Sequence, residues 1–238
     1  MAVKIVAILA NFSIGRRRII AGREFTKKDG QLSLGPWIRP VADLNQADLD
    51  LNDSLLTDRT QPVILDLVQI SFAHQQNDPY RPENCCIQKA TPWKRLSSLQ
   101  AKFMRILTEK PDTLWLEENS PTDRVSDLFL NSMQKIQSVY LIRPQQFHLV
   151  CCREENPLKF DHLYRHRAVF RYNNSEYDLP ISDPVIEEKY FSGIADDENT
   201  GTTIELKKGS NCLVCVALTS ISQGSHQKVV TTVIEPEY

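Results

Sequence analysis

Cationic side chains stand close to aromatic ones at four places in this chain: Trp37 with Arg39, Tyr80 with Arg81, Trp93 with Lys94 and Arg95, and Tyr164 with Arg165 and Arg167. A guanidinium fork pairs phosphate oxygens and an aromatic face stacks an unpaired base, so this combination suits nucleic-acid binding. The densest positive charge lies earlier. Asn11-Phe12-Ser13-Ile14-Gly15 runs into Arg16, Arg17 and Arg18, and residues 1–28 hold Lys4, Arg23, Lys27 and Lys28 besides, against Glu24 alone. A second basic patch comprises Lys159, Arg165, Arg167 and Arg171, opposed by Asp161. Patches of this kind on a body of net charge −2 mark a face that meets polyanions, or else a solvated loop. For Trp37 the competing reading is a strand tryptophan packed in a core. Phe12 and Ile14, flanking a turn, read as packing residues.

Other chemistry is thin. No G-x-x-x-x-G-K-[ST], G-x-S-x-G or H-E-x-x-H occurs, so no enzyme activity, metal or cofactor is expected. His162 and His166 have the spacing of helical metal ligands, but they lead into a strand among arginines that oppose a dication. The cysteines come as Cys85–Cys86, Cys151–Cys152 and Cys212…Cys215. On extended chain each pair points to opposite faces, which predicts reduced, mostly buried thiols and no zinc.

These residues must be positioned by a chain of 238 residues, long enough for one large domain or two small ones. At 41% hydrophobic and 24% charged residues the composition is that of a globular protein. The apolar run Val3–Ala10 is interrupted by Lys4 and followed by arginines, unlike a secretory leader, and a cytoplasmic location is expected.

Short runs rich in Val, Ile and aromatics predict strands at Val3–Ala10, Arg18–Phe25, Trp37–Val41, Val63–Phe72 and Asn84–Gln88. Asp43–Asp58 reads as a polar loop or short helix. The period then changes. Leu96, Leu99, Phe103, Ile106 and Leu107 recur at three and four, predicting a helix over 96–108, and Thr122–Lys135 predicts a second. Strands resume at Val139–Ile142, Phe147–Arg153, Arg167–Tyr172, Glu176–Ile181, Cys212–Thr219 and Lys228–Ile234. Asn173-Asn174 makes a hairpin turn, Asp183-Pro184 opens a short helix through Phe191, and Ala195–Thr202 is an expected mobile loop. The fold class is mainly β with a few helices. It divides into a first small barrel over 1–95, a helical connector over 96–137 and a second barrel over 138–238. Leu141-Ile142-Arg143-Pro144 echoes Trp37-Ile38-Arg39-Pro40.

Several segments carry a family likeness. Lys4-Ile5-Val6 with Leu9-Ala10-Asn11-Phe12-Ser13, Ile20-Ala21-Gly22-Arg23-Glu24, Gly35-Pro36-Trp37-Ile38-Arg39-Pro40-Val41, Tyr80-Arg81-Pro82-Glu83-Asn84, Ser182-Asp183-Pro184 and Cys215-Val216-Ala217-Leu218 together resemble the bacterial dual OB-containing domain family. Trp-Ile-Arg-Pro-Val and Pro-Glu-Asn are the specific parts. Cys85-Cys86 after Pro-Glu-Asn and the crowding of Arg17-Arg18 in the early loop depart from the pattern. The resemblance implies two OB-like barrels and a nucleic-acid role, in the setting of bacterial defence systems, and it brings no catalytic residues.

Two function classes follow. One is a non-catalytic binder of single-stranded or structured RNA or DNA, with Arg16, Arg17, Arg18, Arg23, Trp37, Arg39, Tyr164, Arg165 and Arg167 as contacts. The other is a protein-interaction subunit that docks onto a larger enzyme or nucleoprotein complex through the acidic 43–66 segment.

Overall fold

Alternation of apolar residues along the N-terminal strands dictates a sheet that must curl to bury them. In the computed structural model this sheet is a barrel. The structure describes residues 2–14, 17–28, 31–43, 48–75, 78–100, 103–118, 122–156, 161–192, 202–206 and 211–235. The expected mobile loop at 195–202 lies almost wholly outside them.

Two compact units emerge, one taking residues through Thr108 with Lys135–Val139, the other Glu109–Gln134 with Tyr140 onward. In the first, β1 (Ala2–Ile14) pairs antiparallel with β2 (Arg17–Lys28), and β2 with β3 (Gln31–Val41). After β4 (Leu49–Asp50) and a 3-10 turn (Leu51–Ser54) comes β5 (Asp66–Gln75), which pairs back onto the first half of β1. β6 (Asn84–Ile87) closes the ring, parallel to β3 and antiparallel to β5. The resulting order, β1-β2-β3-β6-β5 and back to β1, is that of an OB barrel. β1 serves two neighbours because it bends at a register shift between Ile8 and Ala10, and bulges are how strands turn barrel corners. Gly22 sits at this crossing. A Cβ there would fall on the Ala7 carbonyl oxygen, so only glycine lets β1 and β2 approach. Inside lie Val6, Ile8, Ile20, Ile38, Val68, Ile70, Phe72 and Ile87, with Leu56 and Trp93 packed among them.

The second unit follows a similar order as a half-barrel, its first strand split and its strands in two four-stranded sheets. β9 (Val139–Ile142) and β10 (Gln145–Asn156) are separated by Arg143-Pro144; β9 neighbours β14 (Leu213–Leu218), while β10 pairs with β11 (Asp161–Tyr172). β11 pairs with β12 (Ser175–Pro180) across a turn in which Asn173 takes φ 51, and β13 (Thr202–Ile204) flanks β10. β15 (Ser225–Ile234) pairs with β14 and meets the chain after β12 through a parallel bridge, Ile181 to Val230. The core is an aromatic file, Phe147 6.2 Å from Phe170 and Phe170 5.6 Å from Tyr177 by ring centroids. The four-residue echo therefore has no structural counterpart: Trp37-Ile38-Arg39-Pro40 lies in a third strand, Leu141-Ile142-Arg143-Pro144 at the break in a first.

The middle of the chain needs correction. The periodicity predicts a helix over 96–108, but β7 (Lys94–Ser98) pairs with β5 and, among the described residues, the α-helix there is limited to α1 (Met104–Leu107). Helix over 122–135 contracts to α2 (Asp127–Ser132), preceded by β8 (Arg124–Ser126), which pairs with β15. The two sheets of the second unit thus run β12-β11-β10-β13 and β8-β15-β14-β9. The stretch 96–137 is shared between the two units. α3 (Pro184–Phe191) forms as its Asp-Pro start predicts. Asp183 Oδ1 accepts from the Val185 and Ile186 amides while Oδ2 accepts from Val233, tying the helix to β15.

All six cysteines are free thiols, and five are buried. Burial pushes Cys212 up to about 11 and Cys215 up to about 12, far from the reactive range.

Candidate nucleic-acid interface

An OB barrel presents oligonucleotides with the outer face of its second and third strands and the flanking loops. In the first barrel that face is closed. Alternation places Ile20 and Ile38 inside, so Ala21 and Trp37 point outward; both are nonetheless buried, Trp37 to 5% exposure. Ala7 and Leu9 on the outer side of β1 are buried too. Trp37 stands directly opposite Arg23, whose guanidinium lies 5.9 Å from the ring and whose Nε donates to the Gly35 carbonyl at 2.7 Å. Trp37 thus packs and offers no stacking face to solvent. Trp93, also paired in sequence with cations, is a core residue.

Arg39 is likewise internal, at 8% exposure. Its backbone amide donates to Glu83 O at 2.8 Å, Nη2 to Asp48 Oδ1 at 2.8 Å and Nη1 to Asn84 Oδ1 at 3.2 Å. Burial lowers its pKa to about 10, with Arg81 acting the same way and Asp48 and Glu83 opposing, so it stays charged at neutral pH. Glu83 is pushed up by its own burial and accepts from Ser138 Oγ. The specific family segments therefore build the barrel's parallel seam.

What remains accessible at the β1–β2 turn is Arg17, whose side chain is 74% exposed and 3.7 Å from Asp48. Arg18 is held back, its Nε donating to Asn11 at 2.8 Å, and partial burial lowers its pKa. Arg16 lies outside the described residues.

Among the described residues the second barrel's equivalent face is the more accessible one. Ala168, Phe170 and Tyr172 of β11 turn inward, and Arg165, Arg167, Val169 and Arg171 turn outward. Neighbours on this side are His148, Val150 and Cys152 of β10 and Glu176, Asp178 and Pro180 of β12. Arg165 and Arg171 are exposed. Arg167, between them, donates from Nε to Asp178 Oδ1 at 2.5 Å and lies 3.5 Å from Asp123. Burial alone would lower its pKa, but these carboxylates raise it above the usual value. It braces β11 against β12 and leaves Arg165 and Arg171 as the cations toward solvent. Tyr164 pairs through its backbone with Arg153, and its side chain is outside the described set. His166 stacks on Phe191 with centroids 3.9 Å apart, away from any ligand-like arrangement. Among the described residues no three His, Cys, Asp or Glu side chains converge as metal ligands, and no helix is long and apolar enough to cross a membrane.

Sequence reasoning placed Arg171 in the second basic patch but not among the named contacts, although its four-residue spacing from Arg167 on a strand puts it on the same face. His148, on the neighbouring strand, carried no signal, because its place beside β11 depends on the register shift between Gln145 and His148.

The acidic segment is mostly spent internally. Asp48 holds Arg39, Asp53 accepts from the Asp50 amide, Asp58 caps Thr60, and buried Asp66 accepts from Arg95, Ser98 and the Val63 amide.

Barrels of this strand order define a fold of OB type. Residues 4–233 match the dual OB-containing domain family, and the chain belongs to it. A comparison with curated proteins gives no match. Among solved structures the chain is similar to that described as the crystal structure of the tetrameric p202 HIN2. The identity is 10% and the TM-score 0.32, over 98% of this chain and 94% of that one, a likeness too distant to carry a statement about function.

Proposed function

We propose that this protein is a non-catalytic nucleic-acid binder that engages single-stranded or structured RNA or DNA through the outer face of β10–β12. The observation that carries this reading is the contrast between the two barrels: the oligonucleotide face is closed in the first and more accessible in the second, where Arg165 and Arg171 meet solvent. Arg17, next in sequence to Arg16, gives a separate phosphate contact at the start of β2, while Arg18 is engaged with Asn11. Arg23, Trp37 and Arg39 serve by holding strands in place. We also propose a setting in bacterial defence, which is what the family resemblance implies. The rival reading, docking to a protein through residues 43–66, is disfavoured by the internal engagement of Asp48, Asp53, Asp58 and Asp66.

The test is fluorescence anisotropy with labelled single-stranded RNA, single-stranded DNA and a hairpin, over a range of salt. Binding should weaken linearly in log–log form as salt rises. No binding to any of the three at low salt would sink the proposal and favour a protein partner.

A further inference from the structure

The segment that leads into the second barrel, from Thr122 to Ser132, starts beside the cationic face and ends in an apolar tip. Hydrogen bonds and an ion pair to three strands fix its course. Thr122 Oγ1 accepts from the Asp178 amide of β12 at 3.4 Å, and Asp123 Oδ2 lies 3.5 Å from Arg167 of β11. The Asp123 carbonyl accepts from the Lys228 amide of β15 at 2.8 Å. β8 then runs along β15 from Gln227 to Ser225, with Arg124 exposed. Where α2 begins, the Asp127 amide donates to the Gly224 carbonyl at 3.0 Å, in the turn between β14 and β15.

Two aliphatic side chains stand in water at this junction. Leu128, in the first turn of α2, is 82% exposed, and Ile221, three residues before Gly224, is 50% exposed. Phe129, next to Leu128, is half-buried. Both supports are firmly built. Ser126 Oγ accepts from the Phe129 amide at 3.1 Å and donates to Glu117 Oε1 at 2.6 Å, while Leu130 is fully buried and anchors the helix. In the turn, the Ser222 and Ser225 amides donate to each other's carbonyls at 2.8 and 3.1 Å. The carboxylate at the tip is already engaged: Asp127 Oδ2 accepts from Asn131 at 3.0 Å, and Oδ1 lies 3.7 Å from His226 Nε2. The tip therefore offers apolar contact and repels phosphate, whereas the arginines of β11 and β8 do the reverse.

We infer that Leu128 and Ile221 receive the unpaired bases of a single nucleic-acid strand whose phosphates lie on the β10–β12 face. The inference rests on the β10–β12 reading and adds where the bases go. On that face the described aromatics, Phe147, Phe170, Tyr172 and Tyr177, are all buried in the core. The segment 122–128 carries the surface from the arginines to the tip without a break, and leucine, isoleucine and phenylalanine side chains pack against base faces.

Fluorescence anisotropy of the full chain tests it, with short oligo-dT, oligo-U, an oligo-dT whose central residues are abasic, and a duplex of the same length. The natural chain should hold the intact single strands about tenfold more tightly than the abasic one. Leu128→Ser combined with Ile221→Ser should bring the intact strands down to the abasic level. It should leave any duplex binding and the salt slope as they were, because no charge is removed. Both side chains are at least half in water, so the melting temperature should hold. Leu128→Met, which keeps an apolar contact, should retain the natural affinity. Either backbone satisfies the inference, and the tighter of oligo-dT and oligo-U names it as DNA or RNA. Equal binding of abasic and intact strands overturns the inference alone, as does unchanged affinity in the folded double variant or an equal loss for the duplex. No binding of any strand by the natural chain at low salt overturns the β10–β12 reading as well.

Discussion

Arg39 and Asn84 face each other across the parallel β3–β6 pair, the guanidinium Nη1 donating to Oδ1 at 3.2 Å. Asp48 takes the other arm of the same guanidinium at 2.8 Å. Arg39→Ala should therefore cost about 3–5 kcal/mol, because it strands a carboxylate in a closed environment. Arg39→Lys should recover little of this, since one ammonium cannot serve both acceptors in the fork geometry. Urea midpoints measure both; a loss under about 1 kcal/mol for the alanine variant would contradict the seam's role.

Trp37→Ala is expected to lower stability by about 3–5 kcal/mol, the range for a buried aromatic. The salt slope of oligonucleotide binding should not move. Intact melting with weakened binding would return Trp37 to the surface as a stacking residue.

Arg165 and Arg171 carry the interface proposal. Replacing both by alanine should flatten the log–log salt slope by about 1.5–2 units while leaving the melting temperature in place. Arg167→Ala should do something different, lowering the melting temperature because Asp178 and Asp123 lose the cation they share. An unchanged slope in the folded double variant would move the binding face elsewhere.

Lys228 on β15 is fully buried, and its Nζ has no hydrogen-bond partner among the described residues. Burial lowers its pKa to about 8, against the pull of Asp123 and Glu117. With the folded value depressed below the unfolded 10.5, its contribution is complete above pH 10.5 and is lost as pH falls toward 8. Lys228→Met should be more stable than the natural chain at pH 7 by on the order of 2 kcal/mol, with the gap closing between pH 8 and 10.5. Denaturant midpoints across that range decide it; a constant gap would mean that the lysine titrates normally.

The strands were legible because their signal is local. Val3–Ala10 and Trp37–Val41 lie within strands, Val63–Phe72 is strand from Asp66 onward, and Asp183-Pro184 opens α3 through a cap that four adjacent residues suffice to define. The 96–108 helix failed for the opposite reason. Its apparent apolar stripe joins Leu96, on an edge strand and 43% exposed, to Ile106 at 49%, and only Leu99 and Leu107 are buried. What decides the conformation of 94–98 is the partner offered by β5, far away in sequence, which no periodicity reports. Trp37 and Arg39 show the same limit at the site. Their types and spacing fit base stacking and phosphate pairing, but whether an outward residue reaches solvent depends on what covers the sheet. Arg165 is exposed on the outer side of β11, where side-chain alternation puts it, whereas the covering of Arg167 depends on Asp178 and Asp123, which no local pattern reports.

The position of β6 in the ring also governs how the barrel is made. β3 and β5 each need it as a neighbour, so nothing synthesised before Asn84–Ile87 can close the cylinder. Until then β3 and β5 each show an unpaired edge, with Ile38, Val68 and Ile70 awaiting their cover. Exposed edges beside apolar faces are templates for pairing with other chains. Ribosomes that stall before Asn84 will hold the chain in that adhesive state, and variants that delay the seam, Arg39→Ala among them, should show it as inclusion bodies before they show it as lost binding.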